Sequence, residues 1–516
     1  MKAANFQQES PSWRFHPSCF QSSWYLGLVL AGFSFILLQS NLSAIADRPQ
    51  WSLVWLVTPL ALTAVAKYTE VPYRQVASTF SAIALIVAEF LTFNFSESRL
   101  IGLGVSVVLM LVNTYYLVEM PAAAITVGFG LSFVAAAIYE LGFVLVSDWV
   151  IAGAIVLLCL WLLRDLMIRY GARVPSAAQL AEMYDQALDG WALLLASLLF
   201  TTITIYSFSL YTDTSFNLQA SIKIFAATLG IFAAIIYRSY RQLSPWAIYA
   251  LAWSLELLTA ISLSFVDRTT INLAVANIAL GLSTQLLGDV WTYKSRLRRQ
   301  ENLRKREAEP LDMRSQALPG NESEYPSVHV IPLVYGLLGL ILRSHAFTNG
   351  TGLISLGASV IAIGIGRREQ KFKTLVYLGL IGVSAAAYES LLYQLFRTPG
   401  GAFGDGLIVL ATLGTTLTYI YRILSPWLSN YLGLTNAELK IFAHLHWVLS
   451  SFLLISASGN VIKSGLNLGL VTGTLLVQYA FLQGRNNLDR QWANIWIYLG
   501  WVEAFGIRLY WINTPL

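Results

Sequence analysis

The chain has 516 residues, of which 56% are hydrophobic and only 12% charged, and its mean hydropathy is +0.60. A soluble domain carries roughly 25% charged residues and a single soluble core stops growing near about 250–300 residues, so this composition excludes an ordinary soluble protein and defines an integral membrane one. The net charge of +5 lies in short loops between apolar runs, a mark of membrane topology and not of nucleic-acid binding.

The first apolar run is "WYLGLVLAGFSFILLQ" (Trp24 to Gln39), followed by Ala44 and Ala46 at the spacing of a signal-peptide cleavage site. The segment before it is long and holds only Lys2 and Arg14, so an uncleaved first helix is expected. With this run included, the apolar runs have centres near residues 32, 59, 85, 109, 134, 156, 200, 228, 255, 280, 337, 359, 385, 414, 449, 473 and 500. At roughly 16–24 residues each, they are read as about seventeen spans, against the roughly 20 residues that one crossing needs. Runs this uniformly apolar do not alternate as barrel strands do. The expected fold is therefore all-α, a polytopic transmembrane helix bundle.

The expected segments are 1–166 (about six helices), a connector 167–189, 190–292 (four helices), a basic linker 293–328, 329–424 (four helices), a connector 425–441 and 442–516 (three helices). Connector 167–189 has an amphipathic pattern suited to a membrane surface. The linker opens with "YKSRLRRQENLRKR" and then carries Pro310, Pro319 and Pro326, a frayed helix extension followed by flexible chain. Its basic half, 293–306, reads as a topology determinant; anionic lipid or a protein partner is the alternative. In the last connector Thr435 and Glu438 fit a capping box.

Basic residues follow the even-numbered runs: Lys67 and Arg74, then Arg164, Arg169 and Arg173, Arg238 and Arg241, the 293–306 stretch, "GRREQKFK", Arg422 and "GRNNLDR". Loops after odd-numbered runs, such as "SESR" and "YTDTS", are poor in them. The positive-inside rule then places the N-terminus and the basic loops in the cytoplasm and the C-terminus opposite, in a bacterial inner or internal membrane.

An internal repeat is also legible. Arg74 precedes Glu89, and Arg241 precedes Glu256, by the same 15 residues; Arg368 before Glu389 and Arg490 before Glu503 are looser copies. "ATLGIFAAIIYRSYRQLSPW" (Ala227 to Trp246) is echoed by "ATLGTTLTYIYRILSPW" (Ala411 to Trp427). Both suggest a helical hairpin copied in parallel orientation, so that equivalent residues share a depth.

Within the spans lie Glu89, Glu140, Glu256, Glu389 and Glu503, with Tyr139 and Tyr388 beside two of them. Carboxylates at such depth are costly and mark function or a buried partner. One reading is proton- or cation-handling groups lining a shared cavity, with Glu140, Glu256 and Glu389 as the best candidates; the other is helix packing. Asn113, Asn277, Ser283, Thr284, Gln285 and Gln478 suit either a pathway or interhelical hydrogen bonds. His444 and His446 are two apart and face different sides of a helix, so they cannot chelate one ion. His329 and His345 read as interfacial, Cys19 and Cys159 form no framework, and no cofactor or metal is expected. The sequence has no Walker A loop, no G-x-G-x-x-G, no H-E-x-x-H and no G-x-S-x-G, so no enzyme is expected. The expected function is ATP-independent movement or binding of a small solute, ion or lipid, with a structural scaffold as the alternative.

Overall fold

The computed structural model describes residues 49–69, 73–92, 96–212, 217–241, 244–307, 330–368, 370–398, 400–487 and 489–512, with isolated helical positions between 26 and 37. It is 89% helical, and no strand occurs among the described residues. After a 3-10 turn, Pro49–Leu56, come α1 (Val57–Tyr68), α2 (Tyr73–Thr92), α3 (Ser96–Leu117), α4 (Met120–Glu140), α5 (Val146–Arg173), α6 (Ala178–Thr212), α7 (Leu218–Arg241), α8 (Pro245–Ser264) and α9 (Thr270–Glu307). Then follow α10 (Val330–Leu342), α11 (Thr351–Gly366), α12 (Lys373–Arg397), α13 (Phe403–Ile423), α14 (Ser425–Leu432), α15 (Asn436–Ser458), α16 (Leu466–Asn486) and α17 (Arg490–Ile512).

Every run centre from residue 59 onward falls inside a helix. The run near residue 32 lies largely outside the described residues, and so do the Ala44–Ala46 site and the linker from 308 to 329. Among the described residues eleven helices are long and apolar enough to cross a membrane, α3 to α9, α12, α13, α15 and α16, where about seventeen spans were expected over the whole chain. The shortfall has a plain cause at α10 and α11: with 13 and 16 residues they fall short of the roughly 20 that one crossing takes.

The surface confirms the solvent. Along α15, Ile441, Leu445, Val448, Phe452 and Ile455 are exposed at helical spacing, while the opposite face buries Ala443, His446, Ser450 and Ala457. The buried face also holds Leu439, Phe442, Trp447 and Leu454, so the helix is apolar on both sides, where a soluble amphipathic helix would turn a polar face outward. The chain is a multi-pass helical membrane protein.

The Leu-Ser-Pro-Trp echo diverges in three dimensions. After α7, Pro245 opens the 20-residue α8; after α13, Pro426 lies in the first turn of α14, which has only eight residues. The difference is Gly433, whose φ of +66° closes α14 with a left-handed residue, a conformation glycine adopts without a Cβ penalty. The capping box forms as the sequence implies: the Thr435 side chain accepts from the Glu438 amide and the Glu438 carboxylate from the Thr435 amide. Residues 178–189, within the expected connector 167–189, form the first turns of the 35-residue α6.

Two compact units emerge, Met1–Tyr206 with Asn217–Arg241, and Ser207–Phe216 with Gln242–Leu516. In the first, α1 to α4 pack in sequence around Leu85, Leu103 and Met110, and α5 packs on α7. In the second, α9, α10, α11 and α12 pack in succession around Ile278, Ile354 and Ile361; α13, α15, α16 and α17 pack around Leu439, Leu476 and Tyr479.

Candidate functional site

The five glutamates are placed on five different helix pairs. Glu89 on α2 accepts the Ser106 hydroxyl of α3 at 2.6 Å. It lies against Gly102, where a Cβ would stand 3.3 Å from its Oε1. Glu140 ends α4 and faces Arg99 of α3 at 3.8 Å; the Arg99 guanidinium also lies over the exposed Tyr139 ring. Glu389 on α12 pairs with Arg343, just past α10, and accepts the Ser355 hydroxyl of α11 at 2.8 Å. Glu503 on α17 is buried beside Ser451 of α15, without a formed hydrogen bond to it.

Glu256 is different. It is buried on α8, and Asn277 of α9 donates to its Oε1 at 2.7 Å. Its Oε2 is buried with no hydrogen-bond donor, and the Asn277 Oδ1 is likewise without a partner. Tyr335 of α10 donates to the Ala252 carbonyl at 2.6 Å and Tyr211, at the end of α6, to that of Ala260 at 2.7 Å. Those carbonyls lie one helical turn before and after Glu256. By contrast, Asn113 is tied into an ordinary packing knot, donating to Ser81 at 3.0 Å and Thr63 at 3.2 Å.

Tyr388 points away from its neighbour's site. It stacks on His446 of α15 at 6.1 Å, and Tyr421 of α13 stacks on the same ring at 5.7 Å. The His446 Nε2 lies 2.9 Å from the Ser384 Oγ. Since the Ser384 hydroxyl donates to the Leu380 carbonyl at 3.1 Å, its oxygen is free to accept from Nε2–H. The Nδ1 atom, the Tyr388 hydroxyl and the Ser450 hydroxyl have no partner. Only glycine fits at 414, because a Cβ there would overlap both hydroxyls. His444 faces Tyr479 and Trp496 instead, so the two histidines diverge as their spacing requires. Among the described residues no group of three His, Cys, Asp or Glu gathers to hold a metal ion.

Of the repeat-motif arginines, Arg74 bonds the Thr69 carbonyl at 3.3 Å and covers the Tyr116 ring. Arg368 pairs with Asp289 at 2.5 Å, Arg490 is exposed at the start of α17, and the Arg241 side chain is outside the described residues. The 293–306 stretch continues α9 as helix. Sequence reasoning missed one network entirely: Arg164 on α5 and Arg238 on α7 converge on Asp185 and Asp189 of α6. The clue was a basic and an acidic residue buried on facing spans, invisible until the helices are paired.

No protein-family model, curated protein or solved structure matches the chain.

Proposed function

We propose that this multi-pass protein binds a small solute or ion, and moves it without nucleotide hydrolysis, with Glu256 as the working carboxyl. One observation carries the reading: the buried Glu256 Oε2 and the Asn277 Oδ1 beside it are acceptors that no protein group satisfies. Buried polar atoms in folded proteins are nearly always partnered, so an orphan pair points to a guest. In hydrocarbon the argument is stronger, because water does not fill the deficit. The basic loops, including Arg367 and Arg368, face the cytoplasm under this reading.

The test is ion flux into proteoliposomes holding a pH-sensitive dye, under an imposed pH or Na+ gradient. Glu256→Gln abolishes the flux and Glu140→Gln, at the half-exposed end of α4, leaves it intact. Full flux in Glu256→Gln sinks the proposal.

The other glutamates favour a second reading, a membrane scaffold, since Glu89, Glu140 and Glu389 each meet a donor on an adjacent helix. It predicts a stoichiometric protein partner on purification in mild detergent, no flux under any gradient, and lower melting temperatures for glutamine variants.

A further inference from the structure

We infer that the Glu256 site takes a monovalent cation, a proton or Na+, and is loaded from the basic-loop side along one face of α9. The inference rests on Glu256 being the working carboxyl.

The ligand class follows from hydrogen-bond accounting. Both amide protons of Asn277 are used, one on Glu256 at 2.7 Å and one on the Leu273 carbonyl at 3.1 Å. These two bonds fix the amide orientation and leave Oδ1 as a pure acceptor. The Tyr211 and Tyr335 hydroxyls direct their protons to backbone carbonyls, so each turns only lone pairs to its surroundings. Among the described residues, Glu256, Asn277, Tyr211 and Tyr335 therefore offer oxygen acceptors and no free donor to this site. An anion finds nothing there to bind it, whereas a cation does. A single carboxylate supplies one negative charge, and a divalent ion draws on a larger oxygen shell with more than one carboxylate. The titratable groups facing the site are Tyr211 from α6 and Tyr335 from α10, with Asp267 of the α8–α9 loop acting on Tyr211.

The route follows from helix geometry. Asn277, Gly281, Gln285 and Asp289 recur every four residues, tracing one slowly turning face of α9. At 1.5 Å per residue, Asn277 and Asp289 are about 18 Å apart along the axis. Gln285 is buried and its Oε1 has no partner, a second orphan acceptor on that face. Between the two orphans lies Gly281, where the Ile361 Cδ1 stands 2.6 Å from the place a Cβ would take. The Pro332 carbonyl and the Tyr335 Cβ close the same spot at 3.2 and 3.3 Å, so the passage is shut between the two orphans and the route requires this point to open. At the basic-loop end Asp289 is held by Arg368 at 2.5 Å, and Arg368 also donates to the Gln285 carbonyl at 3.2 Å. The face thus reads, outward from the site, as acceptor, apolar plug, acceptor, and acid under an arginine latch.

The probe is dicyclohexylcarbodiimide, a lipid-soluble reagent to which a protonated carboxyl adds, giving a stable N-acylurea. Full-length protein is labelled in vesicles sorted by orientation, and modification of Glu256 is followed by peptide mass spectrometry. The labelling rate is expected to fall as pH rises on the basic-loop side, by about tenfold per pH unit once Glu256 is mostly ionised. Slowing by Na+ at fixed pH identifies Na+ as a ligand; dependence on pH alone identifies the proton. Gln285→Leu and the volume-matched Gln285→Met slow the response to basic-loop-side pH at least fivefold, while Arg368→Gln speeds it. Labelling of Glu503 in the same samples reports folded protein. A Glu256 rate indifferent to pH and Na+ on both sides overturns the Glu256 reading itself. A rate that responds but follows the opposite side, or is unchanged in both Gln285 variants, overturns the route alone.

Discussion

Replacing Asp189 by asparagine should be the most damaging conservative change in the first unit. The Asp189 carboxylate accepts from Arg238 Nε and Nη2, both at 2.9 Å, and from Arg164 Nη1 and Trp161 Nε1, both at 3.2 Å. Asparagine keeps one acceptor oxygen and turns an NH2 group toward guanidinium donors. Arg164 retains Asp185 at 2.6 Å, but Arg238 loses its bidentate carboxylate. Breaking a buried pair by removing one partner costs about 3–5 kcal/mol. Here the Asp189 and Arg238 side chains are 19% and 13% exposed, so screening lowers the expectation to about 2–4 kcal/mol. For a unit of this size each kcal/mol moves the melting temperature by about 2–4 °C, which gives a drop of about 4–16 °C. The assay is a thermal melt of detergent-purified protein read by size exclusion. The double variant with Arg238→Met should recover part of the loss, since the stranded cation goes with its partner. A melting point within about 1 °C of the parent, or no coupling in the cycle, refutes the reasoning.

Two further outcomes separate partnered from orphaned groups by the same melt. Tyr335→Phe removes the bond to the Ala252 carbonyl and should cost about 1 kcal/mol, whereas Tyr388→Phe removes an unpartnered hydroxyl and should change stability by less than about 0.5 kcal/mol. Gly414→Ala places a methyl against the Ser450 and Tyr388 hydroxyls and should cost about 1–3 kcal/mol by overpacking; Gly406→Ala, whose nearest neighbour would be 3.9 Å away, serves as the near-neutral control.

What was legible in the sequence was local. Apolar runs marked the helices from residue 59 onward, Thr435 and Glu438 marked the start of α15, and a spacing of two separated His444 from His446. What was not legible depends on which helix lies beside which. The same Leu-Ser-Pro-Trp opens a span in one place and a two-turn helix in another, because Gly433 supplies a stop that the first copy lacks. The amphipathic pattern of 178–189 was visible, but the pairing of its Asp185 and Asp189 with Arg164 and Arg238 was not. Asn277 was visible as a polar residue in a span, but its pairing with Glu256 exists only once α8 and α9 are folded together.

The glutamates show how packing and function part company from one starting residue. In lipid a carboxyl must be given donors, and a neighbouring hydroxyl or guanidinium whose proton goes to it completes it. Ser106 does so for Glu89, and Arg343 with Ser355 does so for Glu389. Such a carboxyl is satisfied by the fold and has no reason to bind anything else. Glu256 is given an amide instead, and an amide brings an acceptor with its donor. Because both Asn277 protons are already bonded, the pair has more lone pairs than protons, and the flanking tyrosines, which direct their protons to backbone carbonyls, add to the excess. A surplus of buried acceptors is relieved by a positive charge from outside the chain. That imbalance, more than the mere presence of a carboxyl on an apolar helix, singles out Glu256.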